Sequence, residues 1–163
     1  MEKKPNIIKF IDEQASEELH LILRGHLYLE FLLNEIFNKI FPNSEELKPI
    51  RMTFYVKVKI LRASNRFDQN LSDLLLKINS LRNSYTHKLH YKIDFDSAFE
   101  LANIAAKAHI DFSDETIFEN YGKSKEWYGI YGILNEVISN TFQHIVWACE
   151  DIFSQDEISD FLG

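Results

Sequence analysis

The chain has 163 residues, 45% hydrophobic and 13% aromatic, with a formal net charge of −7, enough for one domain (1–163) with a sizeable core. Five glycines and three prolines, with no linker-like stretch, favour long helices over separate modules. The single cysteine, Cys149, excludes an intramolecular disulfide or a thiolate metal cluster within the chain and fits a cytoplasmic protein.

At 1–15 the apolar residues Ile7, Ile8, Phe10 and Ile11 form a short lead-in. Its apolar run is broken at Lys9 and Asp12, unlike a signal peptide, and no later run approaches the length of a membrane span, so no membrane association is expected. Ser16, followed by Glu17 and Glu18, predicts the N-cap of a long helix. Leu19, Ile22, Leu23, His26, Leu27, Glu30, Phe31, Leu33, Asn34 and Phe37 keep helical spacing up to Pro42. His26 and Glu30 are four apart and share a helix face. They fit either a hydrogen-bonded interfacial pair or support for a site on a neighbouring helix. No further histidine completes a helical metal set, so no metal site is expected.

Asn43 and Ser44 open the next element, and Pro49 breaks it. Residues 53–64 alternate like a strand at Val56 to Ile60, yet a lone strand has no partner here, so a helix is expected. Phe54, Val58 and Leu61 then line one side, while Lys59, Arg62 and Arg66 present charge at helical steps. From 48 to 92 there are ten Lys and Arg against two Asp, while the remainder carries eight against 23 acids. A basic middle within an acidic chain suits a polyanion bound at one place, and it equally suits ordinary solvated helix faces.

A helix starting at Leu71 or Ser72 has Leu74, Leu75, Ile78 and Leu81 as its core stripe, with Lys77 beside it. It runs into SLRNSYTHKLH at 80–90. Here an arginine able to hold a phosphate, Arg82, and a histidine able to move a proton near neutrality, His87, stand five residues apart with Asn83 between them. On a straight helix they diverge by roughly 140°. They converge if the helix ends or bends between them, if the arginine sweeps round, or if a second subunit completes the site. A helix end is expected near 87–90. Asp94 or Asp96 caps the next helix, a loop spans 111–114, and one long helix is expected from Lys123 to Phe153, softened at Gly129 and Gly132. Its apolar stripe reads as core, with any excess free for a dimer contact.

The Arg82-Asn83-x3-His87 spelling, downstream of the long helix containing LRGHLYLEFLLNEIF, resembles the signature of the HEPN superfamily over residues 16–110; 111–163 would be a C-terminal helical extension. The resemblance implies an all-α, up-and-down helical bundle with a long first helix. It also implies a metal-independent, cofactor-free endoribonuclease of toxin or phage-defence (abortive-infection) type acting at a homodimer interface. In that scheme Arg82 holds the scissile phosphate, His87 moves protons and Asn83 orients the site. Lys88 and His90 hold flanking phosphates, with Lys77, Lys59, Arg62 and Arg66 as further RNA contacts and His26 and Glu30 in support. A cognate antitoxin, such as a nucleotidyltransferase-like protein, is the expected partner beside RNA. One subgroup carries a modified tyrosine two residues after the histidine; Leu89 stands there in this chain. The alternative is a helical binding or regulatory protein that keeps the bundle without catalysis.

Overall fold

The structure, a computed structural model, describes residues 16–50, 52–88 and 91–163; the lead-in at 1–15, Arg51, Leu89 and His90 lie outside the described residues. All regular structure among the described residues is helical. The elements are α1 (Glu17–Ile40), a 3-10 segment (Ser44–Ile50), α2 (Phe54–Ala63), α3 (Gln69–His87), α4 (Phe95–Lys107), α5 (Thr116–Glu119), α6 (Tyr121–Trp127), α7 (Gly129–Ala148) and α8 (Gln155–Leu162). None of the helices is long and apolar enough to cross a membrane.

Local chemistry sets most of the starts. The Ser16 hydroxyl accepts from the Leu19 amide at 3.2 Å, and Glu17 and Glu18 sit against the positive end of α1. Thr53, Asp68 and Asp94 cap α2, α3 and α4 in the same way. Helix α3 therefore begins at Gln69, ahead of the expected Leu71, because Asp68 supplies the cap. The strand-like stretch at 56–60 is helix, with Phe54, Val58 and Leu61 buried.

Helix α1 packs against α2, α3 and α7, and α4 packs against α3 and α7. Contact on several sides widens the buried face of α1, and this corrects the stripe expected from spacing. Leu29, Leu32 and Ile36 are fully buried, whereas Leu27 and Phe31 are 62% and 50% exposed. The antiparallel relation of α1 and α3 follows from two contacts: His26 meets Asn79, and Glu18 lies within electrostatic reach of Tyr85.

The single helix expected from Lys123 to Phe153 is divided. Asn120 caps α6 through the Lys123 amide, and Gly129 takes φ +60°, a left-handed turn that right-handed helix cannot continue through. A further helix, α8, starts at a capping box of Ser154 and Glu157. It returns antiparallel along α1, with Lys39 Nζ 2.6 Å from Glu157 and the Phe161 ring 6.3 Å from that of Phe31. Lys39 and the Ser154 amide hold the Glu157 carboxyl down at about 2.

At the closest approach of α1 and α7, a Cβ on Gly25 would stand 2.5 Å from Ile138 Cγ2, a branched methyl with little rotamer freedom. Gly25→Ala is expected to destabilise by about 1–2 kcal/mol, because overpacking outweighs the helix propensity gained. In urea unfolding, Gly25→Ala with Ile138→Ala should cost less than the sum of the two single changes. Strict additivity, or a stabilised Gly25→Ala, would contradict this packing.

Candidate functional site

The last turn of α3 carries the Arg82-Asn83-x3-His87 set. The helix does not end or break between Arg82 and His87; it runs to His87, with Lys88 as C-cap donating its amide to the Ser84 carbonyl. Of the three routes by which the pair can converge, those left are a sweep of the arginine side chain and completion by a second subunit. The Thr86 hydroxyl donates to the carbonyls of Arg82 and Asn83, both at 3.1 Å, which holds this turn together. The Tyr85 hydroxyl accepts from the Ile93 amide at 3.2 Å, and the Tyr85 ring meets Tyr91 edge-on at 4.9 Å. These contacts fold the chain after the motif back onto α3. Burial is the main reason the Tyr85 phenol is pushed up from its ordinary value.

Within that turn Arg82 is half-buried and His87 exposed. The Arg82 guanidinium donates from Nη1 to Asn83 Oδ1 at 3.1 Å. Among the described residues no carboxylate lies within ion-pair distance of it. A half-buried arginine held by a neutral amide keeps its charge and most of its donors for an anion.

Behind Arg82 lies a polar seam between α1, α2 and α3. His26 is 4% exposed; its Nε2–H donates to Asn79 Oδ1 at 2.9 Å, and its ring lies 4.4 Å from that of Phe54. Lys57, also buried, donates to Glu30 Oε1 at 3.3 Å. Burial lowers the His26 pKa; the Asn79 hydrogen bond and Glu30 raise it, and Arg82 and Lys57 lower it. The imidazole is thus neutral in a pocket where two cations and one carboxylate act on it. Of the two helix-one residues, His26 contacts the motif helix through Asn79 and Glu30 contacts Lys57 on α2; Asn79 and Lys57 escaped the sequence reading. Asn79 stands one turn before Arg82 on the same face of α3. Lys57 falls among Phe54, Val58 and Leu61, a cation at an apolar-face position.

The remaining basic candidates are dispersed. Arg66 lies beyond the end of α2, not on it as the spacing suggested, and its Nη1 reaches Asp151 Oδ1 and Oδ2 at 2.7 and 2.9 Å. Lys77 pairs with Glu100 at 2.8 Å. Lys59 lies over the Tyr55 ring at 5.4 Å, and Arg62 is half-buried. The α2–α3 hairpin puts Arg62 beside the start of α3, about 20 Å of helix from Arg82. Lys88 is exposed beside the motif, its Nζ 5.6 Å from the Tyr91 ring centroid. His90 lies outside the described residues.

An open groove of about 1020 Å³ between α1, α7 and α8, lined by Leu27, Tyr28, Tyr131 and Phe142 among others, lies on the face of α1 turned away from His26 and Glu30. It holds none of the motif residues. Cys149 is fully buried, and burial pushes its thiol up to about 11, which disfavours a thiolate nucleophile. Among the described residues no group of three His, Cys, Asp or Glu side chains is placed to hold a metal ion. No protein-family model, curated protein or solved structure matches this chain.

Because the folded state holds the His26 pKa below its ordinary 6.5, the unfolded chain takes up the proton first as pH falls. The stability His26 contributes is full above pH 6.5 and is lost as pH drops through the folded value. His26→Gln, which keeps a donor for Asn79 but does not titrate, should narrow the difference in unfolding free energy between pH 7.5 and pH 5. An unchanged difference would contradict a buried neutral His26.

Proposed function

We propose that the protein is a HEPN-like endoribonuclease that cleaves RNA without a metal ion. The observation that supports this reading best is the half-buried Arg82, its guanidinium bonded to Asn83 and to no acid among the described residues, five residues before the exposed His87 at the end of α3. Arg82 would bind the scissile phosphate and stabilise the charge that grows on its oxygens. The 2′ oxygen of the RNA attacks phosphorus as His87 takes its proton, and the bond to the 5′ oxygen breaks. The 5′ oxygen leaves with a proton, giving a 2′,3′-cyclic phosphate and a 5′ hydroxyl.

One histidine cannot at once accept the first proton and supply the second. A homodimer that brings two α3 ends together across a two-fold axis would provide an acid and a base from one motif. It would also relieve the angular separation that the unbroken helix imposes on Arg82 and His87. Asn83 accepts a hydrogen bond from the guanidinium, and Lys88, exposed beside the motif, would hold a flanking phosphate. Arg66 and Lys77 are committed to acids and contribute less to RNA binding than their number suggests. In this reading the protein acts in the cytoplasm as a toxin or abortive-infection nuclease restrained by an antitoxin, for which a nucleotidyltransferase-like protein is the natural type.

Purified protein, free of any co-purifying partner, should cleave total RNA in EDTA and leave 2′,3′-cyclic phosphate ends. His87→Ala should lower the rate at least about 100-fold with folding and oligomeric state unchanged. Absence of cleavage by the wild type would move the assignment to a non-catalytic helical binding module, and equal cleavage by both proteins would place the activity elsewhere.

A further inference from the structure

The groove between α1, α7 and α8 has the shape of a seat for one more segment. Its α1 wall is a stripe at helical spacing from Glu17 through Leu21 and Tyr28 to Phe31, about 21 Å of helix. Tyr131 and Phe142 of α7 stand on the other wall. The far end is closed by α8, whose Phe161 ring lies 6.3 Å from that of Phe31 and 6.4 Å from that of Phe142. Helix α8 thus covers α1 from Lys39 as far as Phe31 and stops at Leu162. From Phe31 back to Glu17 the groove is open, and among the described residues Leu27, Tyr28 and Tyr131 are exposed there. Contiguous apolar surface of this extent marks a contact site.

We propose that residues 1–15 fold back along α1 and seat Ile7, Ile8, Phe10 and Ile11 in this groove, as a strap made of the chain itself. Attachment supports it: Ser16 caps α1 and Glu17 lines the open end of the groove, so the segment joins the body at the mouth. Length agrees. Pro5 suits a first helical turn, and at the helical rise Pro5 to Ala15 span about 16 Å, which brings Ile7 to Ile11 level with Leu21 to Tyr28 and lets Met1 to Lys4 reach Phe31. The pattern also fits, because at helical spacing the four apolar residues fall within about 160°, with Lys9 and Glu13 opposite. Charge follows the same direction: Asp12 and Glu13 would pass His20 and Arg24, and Lys3 and Lys4 would reach Asp160, all three groove residues; Glu17 at the mouth has no such match. A tethered segment acts at an effective concentration on the order of mM, which favours it over a free partner or a second copy. The strap lies on the face of α1 turned away from His26, and it does not depend on the nuclease reading.

The test uses the full chain with a nitroxide on Lys9→Cys, a polar-side position, and ¹⁵N NMR of the groove. Cys149 is fully buried, its thiol pushed up to about 11, so it does not take the label. The amide signals of Arg24, Tyr28 and Ser139 should be lost and should return when ascorbate reduces the nitroxide. Adding Ile8→Asp and Ile11→Asp should restore them in the oxidised protein. A mixture of labelled chain without ¹⁵N and unlabelled ¹⁵N chain should keep all three signals. As a label-free check, Leu27→Asp should lower the urea midpoint, and less so when Ile8→Asp and Ile11→Asp are already present. The proposal is overturned if the labelled protein keeps the three signals, or if the two aspartates leave them broadened. Loss of the signals in the mixture also overturns it, since a second copy would then hold the groove, as does an unchanged midpoint in Leu27→Asp.

Discussion

The cost of burying polar groups between helices governs this structure. An imidazole, an ammonium, a carboxylate and a carboxamide lie where α1, α2 and α3 meet, a place that leucines could fill with less penalty. Each is matched: His26 to Asn79 at 2.9 Å and Lys57 to Glu30 at 3.3 Å. Because these bonds need particular partners at particular heights, they set the register of α1 against α3 and of α2 against α1 more narrowly than apolar packing can. The end of α3 inherits that register, since Asn79 stands one turn before Arg82.

The consequence for chemistry is electrostatic. In the seam His26 is held neutral by burial and Glu30 pairs with Lys57, while Arg82, bonded to Asn83, has no acid partner among the described residues. The last turn, held by Thr86 and by the Tyr85 contacts to Ile93 and Tyr91, presents His87 to solvent close by. The proposed nuclease reading uses both properties: a held cation for the phosphate and an exposed imidazole for the proton. The unbroken helix between them is also why that reading invokes a second copy of the chain.

Local signals were legible in the sequence. Ser16 and Asp94 announce their helices by the oxygen they offer to the first turn, and the Leu74, Leu75, Ile78 and Leu81 stripe of α3 is buried as its spacing implies. What depends on the number of neighbours was not legible. Leu27 and Phe31 keep helical spacing yet face an open groove, because α1 is gripped from several other sides. The break at Gly129 needed a backbone angle, not a composition, and Arg66 lost its place in a basic track once α2 ended at Ala63. In the site, Arg82, Asn83 and His87 stand out because their chemistry is unusual at the end of an apolar stripe. Asn79 and Lys57 do not, since their roles arise from contacts 53 and 27 residues away along the chain.

The claim that seam and motif form one electrostatic unit is tested most directly by titrating His26 by ¹⁵N NMR in the wild type and in Arg82→Met. The account predicts a neutral Nε2–H tautomer at pH 7 that titrates below 6.5 in the wild type and at a higher pH once the Arg82 charge is gone. An imidazolium already present at pH 7, or a titration that ignores the loss of Arg82, would contradict it.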